Sequence, residues 1–299
     1  MPRIGIDLGG TKIEGVVLGL DGGIRFRDRR PTPAGDYAAT LDVVADLVHA
    51  LERQCGHKCS VGIGTPGSLS PAHGRLRNAN SICLNSRALD LDLGARLGRP
   101  VRIANDADCF ALSEASDGAA KGASCMFGVI VGTGTGGGIV INGQLLRGHN
   151  AIAGEWGHNP LPWPADDERP GPDCYCGKRG CIETFLSGPG LARDYADDDR
   201  TISAEQVARR AARGEPAASA CLARYADRMA RSLASVINIL DPAVIVLGGG
   251  LSRIERLYHE VPRLWGRYVF SDVVRTRLAP PLHGDSSGVR GAAWLWPAD

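Results

Sequence analysis

Between Gly154 and Thr184 the chain carries one histidine and three cysteines at a spacing that restricts how this segment can close on itself. It reads Gly154-Glu155-Trp156-Gly157-His158, then a proline-rich loop, then Cys174-Tyr175-Cys176-Gly177-Lys178-Arg179-Gly180-Cys181-Ile182-Glu183-Thr184. Thiols at 174, 176 and 181, glycines that let the backbone fold back, and one upstream imidazole are the ligand set of a closed tetrahedral zinc site. The ligands would be His158, Cys174, Cys176 and Cys181. Spacing alone also admits a disulfide or ordinary buried thiols. Closing a metal loop draws Glu155 and Glu183 towards one place, and paired carboxylates suit sugar hydroxyls. The second nitrogen of a metal-bound His158 is then free to meet a ligand. Each glutamate alone reads equally well as a solvated surface charge.

A second feature is a repeated unit. Ile4 and Ile6 alternate, Asp7-Leu8-Gly9-Gly10-Thr11-Lys12 breaks the run, and Glu14 to Leu18 is apolar and β-branched again, which predicts a hairpin. Phe127 to Val131, the glycine-rich Gly132-Thr133-Gly134-Thr135-Gly136-Gly137-Gly138, and Ile139 to Ile141 repeat the plan. Such turns present backbone N–H groups, a hydroxyl and a lysine to a phosphate chain, or are plain hairpin turns with solvated tips. Between them, Asp36 caps a predicted helix with apolar face Leu41, Val44, Leu47, Val48 and Leu51, and Ser60 to Ile63 reads as a buried strand. Gly64-Thr65-Pro66-Gly67 ends that strand in a turn, and Val101 to Ala104 is a further strand stopping at Asn105-Asp106-Ala107-Asp108 before a helix over Cys109 to Ser116. A carboxylate there ordinarily caps the helix.

Further along, Leu222, Tyr225, Met229, Leu233, Val236, Ile237 and Leu240 form a core-facing helical stripe, which Asp241-Pro242 stops. Ala243 to Leu247 is a buried strand, and Gly248-Gly249-Gly250 is read as opening the next helix, where a planar ring could approach the backbone. Gly284 to Trp296 reads as a terminal amphipathic helix.

The chain has 299 residues, 43% hydrophobic and 22% charged, enough for two domains with cores that need no disulfides. No apolar run reaches membrane-span length and the first residues already read as a strand and a turn, so a soluble cytoplasmic protein without a signal peptide is expected. A net charge of +1 gives no field for nucleic acid, and Arg25, Arg27, Arg29 and Arg30 alternate as a strand's solvent face does. Of nine cysteines, Cys55, Cys59, Cys83, Cys109, Cys125 and Cys221 are scattered without a framework and are expected to be reduced and structural.

The Glu155-x-Gly157-His158 and Cys174-x-Cys176-Gly177-x-x-Gly180-Cys181-x-Glu183 pattern resembles the signature of the ROK family of sugar kinases and regulators, and the resemblance runs from Gly5 to Trp296. It implies an α/β fold of the two-lobed actin-like (ribonuclease H-like) ATPase type, with an N-terminal lobe of residues 1–107 plus 286–299 and a C-terminal lobe of 108–285. It implies ATP and Mg²⁺ as cofactors and a structural Zn²⁺, with Asp7, Gly9, Gly10, Thr11, Lys12, Gly132, Thr133, Gly134 and Thr135 on the phosphates and metal, and Gly248, Gly249 and Gly250 beside the adenosine. Sugar contacts fall on Gly67, Asn80, Asn105, Asp106, Glu155, His158 and Glu183, with Asp106 as catalytic base. The stretches Glu155 to Trp163 and Cys174 to Lys178 look most like bacterial fructokinases that also accept mannose, so D-fructose to fructose 6-phosphate is the expected reaction, with glucokinase, N-acetylhexosamine kinase or a non-catalytic sugar sensor as alternatives. A homodimer is usual in the family. Two features depart from its pattern: the long loop between His158 and Cys174 with Pro160, Pro162, Pro164, Pro170 and Pro172, and Asp108 where asparagine is usual.

Overall fold

A computed structural model of the chain describes residues 1–79, 81–196 and 202–297. They divide into two compact units: residues 1–121, 144–153 and 285–299, and residues 122–143 and 154–284. The first unit thus extends beyond residue 107, because the helix that follows packs with it.

In chain order the first unit contains β1 (Arg3–Leu8), β2 (Lys12–Leu18), β3 (Ile24–Pro31), α1 (Tyr37–Cys55), β4 (Ser60–Thr65), β5 (Ser68–Leu69), β6 (Leu76–Arg77), α2 (Leu89–Leu97), β7 (Arg102–Asn105) and α3 (Asp106–Ser116). Its main sheet has the order β3-β2-β1-β4-β7, with β1 antiparallel to β2 and parallel to β4. The predicted hairpin and the Asp36 cap are both present: the Asp36 carboxylate accepts from the Ala39 N–H at 3.0 Å. β3 alternates as expected, and the buried positions of α1 (Leu41, Val44, Leu47, Val48, Leu51) cover one face of the sheet together with Ile4, Ile6, Val61 and Ile63.

The chain then forms β8 (Cys125–Val131) and β9 (Thr135–Ile141), which belong to the second unit, and a short β10 (Gln144–Leu145) that belongs to the first. The second unit continues through α4 (Ile182–Leu186), α5 (Gly188–Ala196), α6 (Ala204–Ala212), α7 (Pro216–Leu240), β11 (Val244–Gly248), α8 (Arg256–Trp265) and β12 (Arg277–Ala279). Its strands run β9-β8-β11-β12, and β8 is antiparallel to β9 and parallel to β11. The α7 stripe is the expected one, but the helix starts earlier, with Pro216 in its first turn, where a missing N–H costs nothing. Cys221, Leu222, Tyr225, Met229, Leu233 and Ile237 pack into a core with Phe127, Val129 and Val131.

The chain ends in α9 (Ser287–Trp294), which lies on the first unit's sheet. Gly5 on β1 and Gly62 on β4 face the α9 carbonyls of Val289 and Ala292, and Gly291 faces the Cys109 carbonyl on α3, so a side chain at any of these would overlap backbone. Among the described residues no helix is long and apolar enough to cross a membrane.

Candidate functional site

The first turn is shorter than its sequence suggests. Asp7 and Leu8 complete β1, Lys12 opens β2, and only Gly9 to Thr11 bridge them, with the Gly9 N–H bonded to the Lys12 carbonyl at 3.1 Å. Thr32 holds the turn from the side, donating its hydroxyl to the Gly9 carbonyl at 2.8 Å. Hairpin register sets Asp7 opposite Glu14. Glu14 is only 4% exposed and receives Arg27 at 2.6 Å, Arg29 at 2.8 Å and Lys12 at 3.7 Å, so one carboxylate anchors the lysine of the turn and the basic face of β3. Glu14 escaped the sequence reading, although a lone acid in a β-branched strand was the signal that could have found it.

Asp106 is the first residue of α3, and Asn105 is its N-cap, accepting from the Asp108 N–H at 2.6 Å. The cap is therefore the asparagine, not the expected carboxylate. That relieves Asp106 of capping, and its side chain accepts a local bond from the Ala107 N–H at 2.9 Å. Asp106 is an exposed residue, yet desolvation of its carboxyl by the surrounding protein lifts its pKa, with that hydrogen bond opposing the shift. Asp7 is pushed up to about 6, first by burial, then by the charges of Asp106 and Glu14, against Lys12. The two carboxyls of raised pKa thus stand at the ends of β1 and β7, with β4 between those strands, and the charge of Asp106 reaches Asp7.

Gly67 needs its left-handed φ of +80° and its missing side chain, since a Cβ would run into the Arg77 carbonyl and the Ala79 nitrogen. Its turn thus lies on the segment leading to Asn80, which is outside the described residues. Asn85 pins that segment, accepting from the Ala79 N–H at 2.9 Å and donating to the Ala79 carbonyl at 3.0 Å. Sequence reasoning missed Asn85 because its partner is backbone.

In the second unit the glycine-rich turn contracts to Gly132, Thr133 and Gly134, closed by the Gly132 N–H on the Gly134 carbonyl at 2.9 Å, while Gly136 to Gly138 run inside β9. A cavity of about 1270 Å³ opens on Gly132 and Thr133 and is walled by Pro189 and Arg193 of α5, Glu205 of α6, and Gly250. Of the triplet at 248–250, Gly250 reaches the cavity. Gly248 ends β11, and Gly249 takes φ of +79° against the Val131 carbonyl. The triplet opens a short 3₁₀ turn, Gly250–Arg253, and the next α-helix waits until Arg256. Gly134 and Thr135 turn the other way, towards Glu183, whose carboxylate accepts from the Thr135 N–H at 2.8 Å.

The histidine and the three cysteines converge. Residues 159–161 run antiparallel to 180–182 through Ile182 N–H to Asn159 O and Leu161 N–H to Gly180 O, both 2.9 Å, and a tight turn at Gly177 (φ +85°) brings Cys174 and Cys176 back. His158 Nδ1 lies 3.6 Å from Cys174 Sγ, and Cys176 Sγ lies 3.6 Å from Cys181 Sγ; all four donor atoms fall within 4.8 Å of one another. A tetrahedron of ligands at zinc–sulfur bond lengths has edges of about 3.8 Å, so the donor set fits zinc in number, chemistry and size. The other imidazole nitrogen, Nε2, is 3.0 Å from the Tyr175 hydroxyl, which stands edge-on to the ring. That contact occupies the nitrogen expected to face a ligand. Tyr175 is 82% exposed, and desolvation, followed by the charges of Glu183 and Glu155, pushes its pKa up to about 12. Nothing in its spacing singled Tyr175 out.

The proline-rich loop is fastened at its middle. Glu168, buried, accepts from Arg228 Nε at 2.7 Å and from both terminal nitrogens of Arg231 at 3.0 and 2.9 Å, and Arg231 also donates to the Pro162 and Trp163 carbonyls. Arg228 reaches on to Asp194 of α5 at 2.8 Å.

A family model described as the ROK family matches residues 3–299. The chain is 40% identical over 300 residues to an N-acetyl-D-glucosamine kinase of Yersinia pseudotuberculosis, an alignment that covers 99% of each sequence. Among solved structures it is similar to a ROK hexokinase from Thermus thermophilus, with 32% identity, TM-score 0.87 and coverage of 98% of this chain and 97% of the other. It is also similar to a ROK family glucokinase from Streptomyces griseus in complex with glucose and AMPPNP, with 27% identity, TM-score 0.78 and 99% of each chain covered.

Proposed function

The chain belongs to the ROK family, and from that membership and the site we propose that it is an ATP-dependent kinase that phosphorylates the 6-hydroxyl of an N-acetylated hexosamine, N-acetyl-D-glucosamine first. The observation that carries the chemistry is the Asp106 carboxyl at the start of α3, open to solvent yet raised in pKa by the protein around it, and relieved of capping by Asn105. A sugar hydroxyl is too weakly acidic to ionise at neutral pH. Asp106 therefore orients it and takes its proton as the bond to phosphorus forms. Its raised pKa makes the ionised carboxylate a stronger acceptor.

The other residues bind and position. Gly132, Thr133 and Gly250 would hold the nucleotide along the large cavity, and Gly9 to Lys12 would face its phosphates, with Lys12 kept in place by Glu14. Asp7 would hold the water shell of Mg²⁺, which neutralises phosphate charge when bound. Zinc on His158, Cys174, Cys176 and Cys181 has a full protein shell and supplies rigidity, not a nucleophile. Glu155 and Glu183 would meet sugar hydroxyls, with Gly67, Asn80 and Asn105 as further contacts.

N-acetyl-D-glucosamine replaces D-fructose as the first substrate because the relative that covers 99% of the chain at 40% identity is named for it. Steady-state kinetics with ATP on N-acetyl-D-glucosamine, N-acetylmannosamine, glucose, mannose and fructose test the choice. The expected result is the highest kcat/KM for N-acetyl-D-glucosamine. A higher value for fructose returns the earlier assignment, and no turnover of any sugar leaves a sensor. The enzyme is proposed to work in the cytoplasm as a homodimer. Ile239 and Phe270, 88% and 100% exposed and tied through Asn238, offer an apolar surface for it, and sedimentation of Phe270→Asp against the parent checks that.

A further inference from the structure

Two of the cysteines outside the His158 cluster stand together. Cys55 ends α1 and Cys59 precedes β4, and their Sγ atoms are 3.5 Å apart. Gly56 terminates the helix in the left-handed region at φ +72°, turning the chain so that the two thiols face each other across exposed His57 and Lys58. Cys59 is 2% exposed, while Cys55 is half-buried and lines a cavity of about 410 Å³ together with Val17, Leu18, Arg25 and Phe26. One thiol is thus reachable by a small molecule and the other waits behind it.

We propose that Cys55 and Cys59 form a thiol–disulfide exchange site that a low-molecular-weight disulfide converts to an intrachain cross-link. The Cys55 thiolate attacks one sulfur of the reagent R–S–S–R, giving Cys55–S–S–R and releasing R–S⁻. The Cys59 thiolate then attacks the Cys55 sulfur, forms Cys55–S–S–Cys59 and expels the second R–S⁻. The two protein protons end on two released thiols, and two electrons pass from the protein to the reagent. Closing the bond to about 2.05 Å takes a movement of about 1.5 Å, within reach of side-chain rotation in a short connection. Burial pushes the Cys59 thiol up to about 12, so the second step quickens with pH. The cross-link ties the end of α1 to the start of β4, the strand held between β1 and β7. It is independent of the kinase reading, because neither thiol belongs to the proposed site.

The sequence supplies its own assay. Trypsin cuts after Arg53 and Lys58, so Cys55 and Cys59 leave on separate peptides, Gln54 to Lys58 and Cys59 to Arg75. The intact protein is incubated with oxidised glutathione, blocked with iodoacetamide, digested and weighed. The expected product is those two peptides joined, separated again by dithiothreitol, with Cys59→Ser stopping at a glutathione adduct on Cys55. Recovery of both peptides alkylated, a stable glutathione adduct on Cys55 in the parent, or either cysteine joined to a different one overturns the proposal.

Discussion

The Glu183 carboxylate accepts a hydrogen bond from the Thr135 backbone N–H at 2.8 Å, joining the second residue after Cys181 to the end of the glycine turn. The same turn is approached from a second side, since Gly157 packs against the Thr135 carbonyl and a side chain there would overlap it. Thr135 therefore receives both ends of the histidine–cysteine segment. The residues proposed for sugar and the turn proposed for phosphate share one backbone unit, so a substitution within that unit acts on both.

Gly134 shows the consequence. A Cβ at this position would sit 2.7 Å from Glu183 Oε2, so Gly134→Val displaces the carboxylate from Thr135 as well as crowding the turn. Loss of a charge-assisted hydrogen bond of about 1.5–3 kcal/mol corresponds to roughly 10- to 100-fold. The KM for sugar and the KM for ATP should both rise by at least the lower figure. A rise in the KM for ATP alone would show that the Glu183 contact carries no sugar affinity.

The hairpins, the Asp36 cap and the α7 stripe were legible because each is fixed by residues within a few positions of one another. The cap of α3 was expected to be a carboxylate and is Asn105: a carboxylate and a carboxamide both cap helices, and only the bond to the Asp108 N–H decides between them. The glycine-rich run looked like one long turn, but Gly137 lies under the Phe127 ring and beside the Gly154 carbonyl, so part of the run is strand kept bare for close packing. Tyr175, Glu14 and Glu168 take their importance from partners remote in the sequence. No local pattern reports such partners.

Asp106→Asn tests the proton acceptor with little structural cost, because its side-chain oxygen still accepts from the Ala107 N–H while its amide cannot take a proton. kcat should fall by about 10² to 10⁴ with the KM for sugar within a few-fold of the parent. Activity within about threefold of the parent would remove Asp106 from the mechanism.

Asp7 should cost stability at neutral pH. Its pKa rises from 3.8 unfolded to about 6 folded, so the folded state binds more protons between those values and loses stability as pH climbs through them. Asp7→Asn, neutral throughout, should raise the Tm at pH 7 by the equivalent of about 1–3 kcal/mol and give little gain at pH 4, while lowering kinase activity. An equal Tm difference at both pH values would mean that the charge is not the cause.

Glu168 has the opposite sign. Its two arginines and the Ala165 N–H hold the pKa down, from 4.5 to about 2, so its stabilisation is complete above the unfolded value and is lost as pH falls between the two. Glu168→Gln leaves Arg228 with Asp194 and Arg231 with Asp227 as their remaining carboxylates, so the loss should stay below the about 3–5 kcal/mol of a buried charge left without any partner. Urea unfolding at pH 7 should show that loss, and the gap between parent and variant should narrow below pH 4.

Cys176 separates a metal centre from a cluster of ordinary thiols. It is the exposed member of the four, 3.6 Å from Cys181, so serine in its place removes a soft ligand without opening a cavity in the core. Three remaining donors bind zinc far more weakly, and because metal binding is coupled to the fold of the 158–183 segment, zinc content and Tm should fall together. Glu183 would then lose its fixed approach to Thr135, and Tyr175 its place beside His158. The KM for sugar should rise sharply. The cavity proposed for the nucleotide is walled mainly by α5, α6 and the 250–256 segment, and it meets the turn that Glu183 fastens at Gly132 and Thr133, so binding of a non-hydrolysable ATP analogue should weaken by a few-fold at most, far less than that of the sugar. Elemental analysis of the parent protein comes first. Less than stoichiometric zinc there, or a Cys176→Ser protein with parental sugar kinetics, would return these residues to ordinary thiols, and the rigidity of the sugar side would have to come from the Glu168 clasp alone.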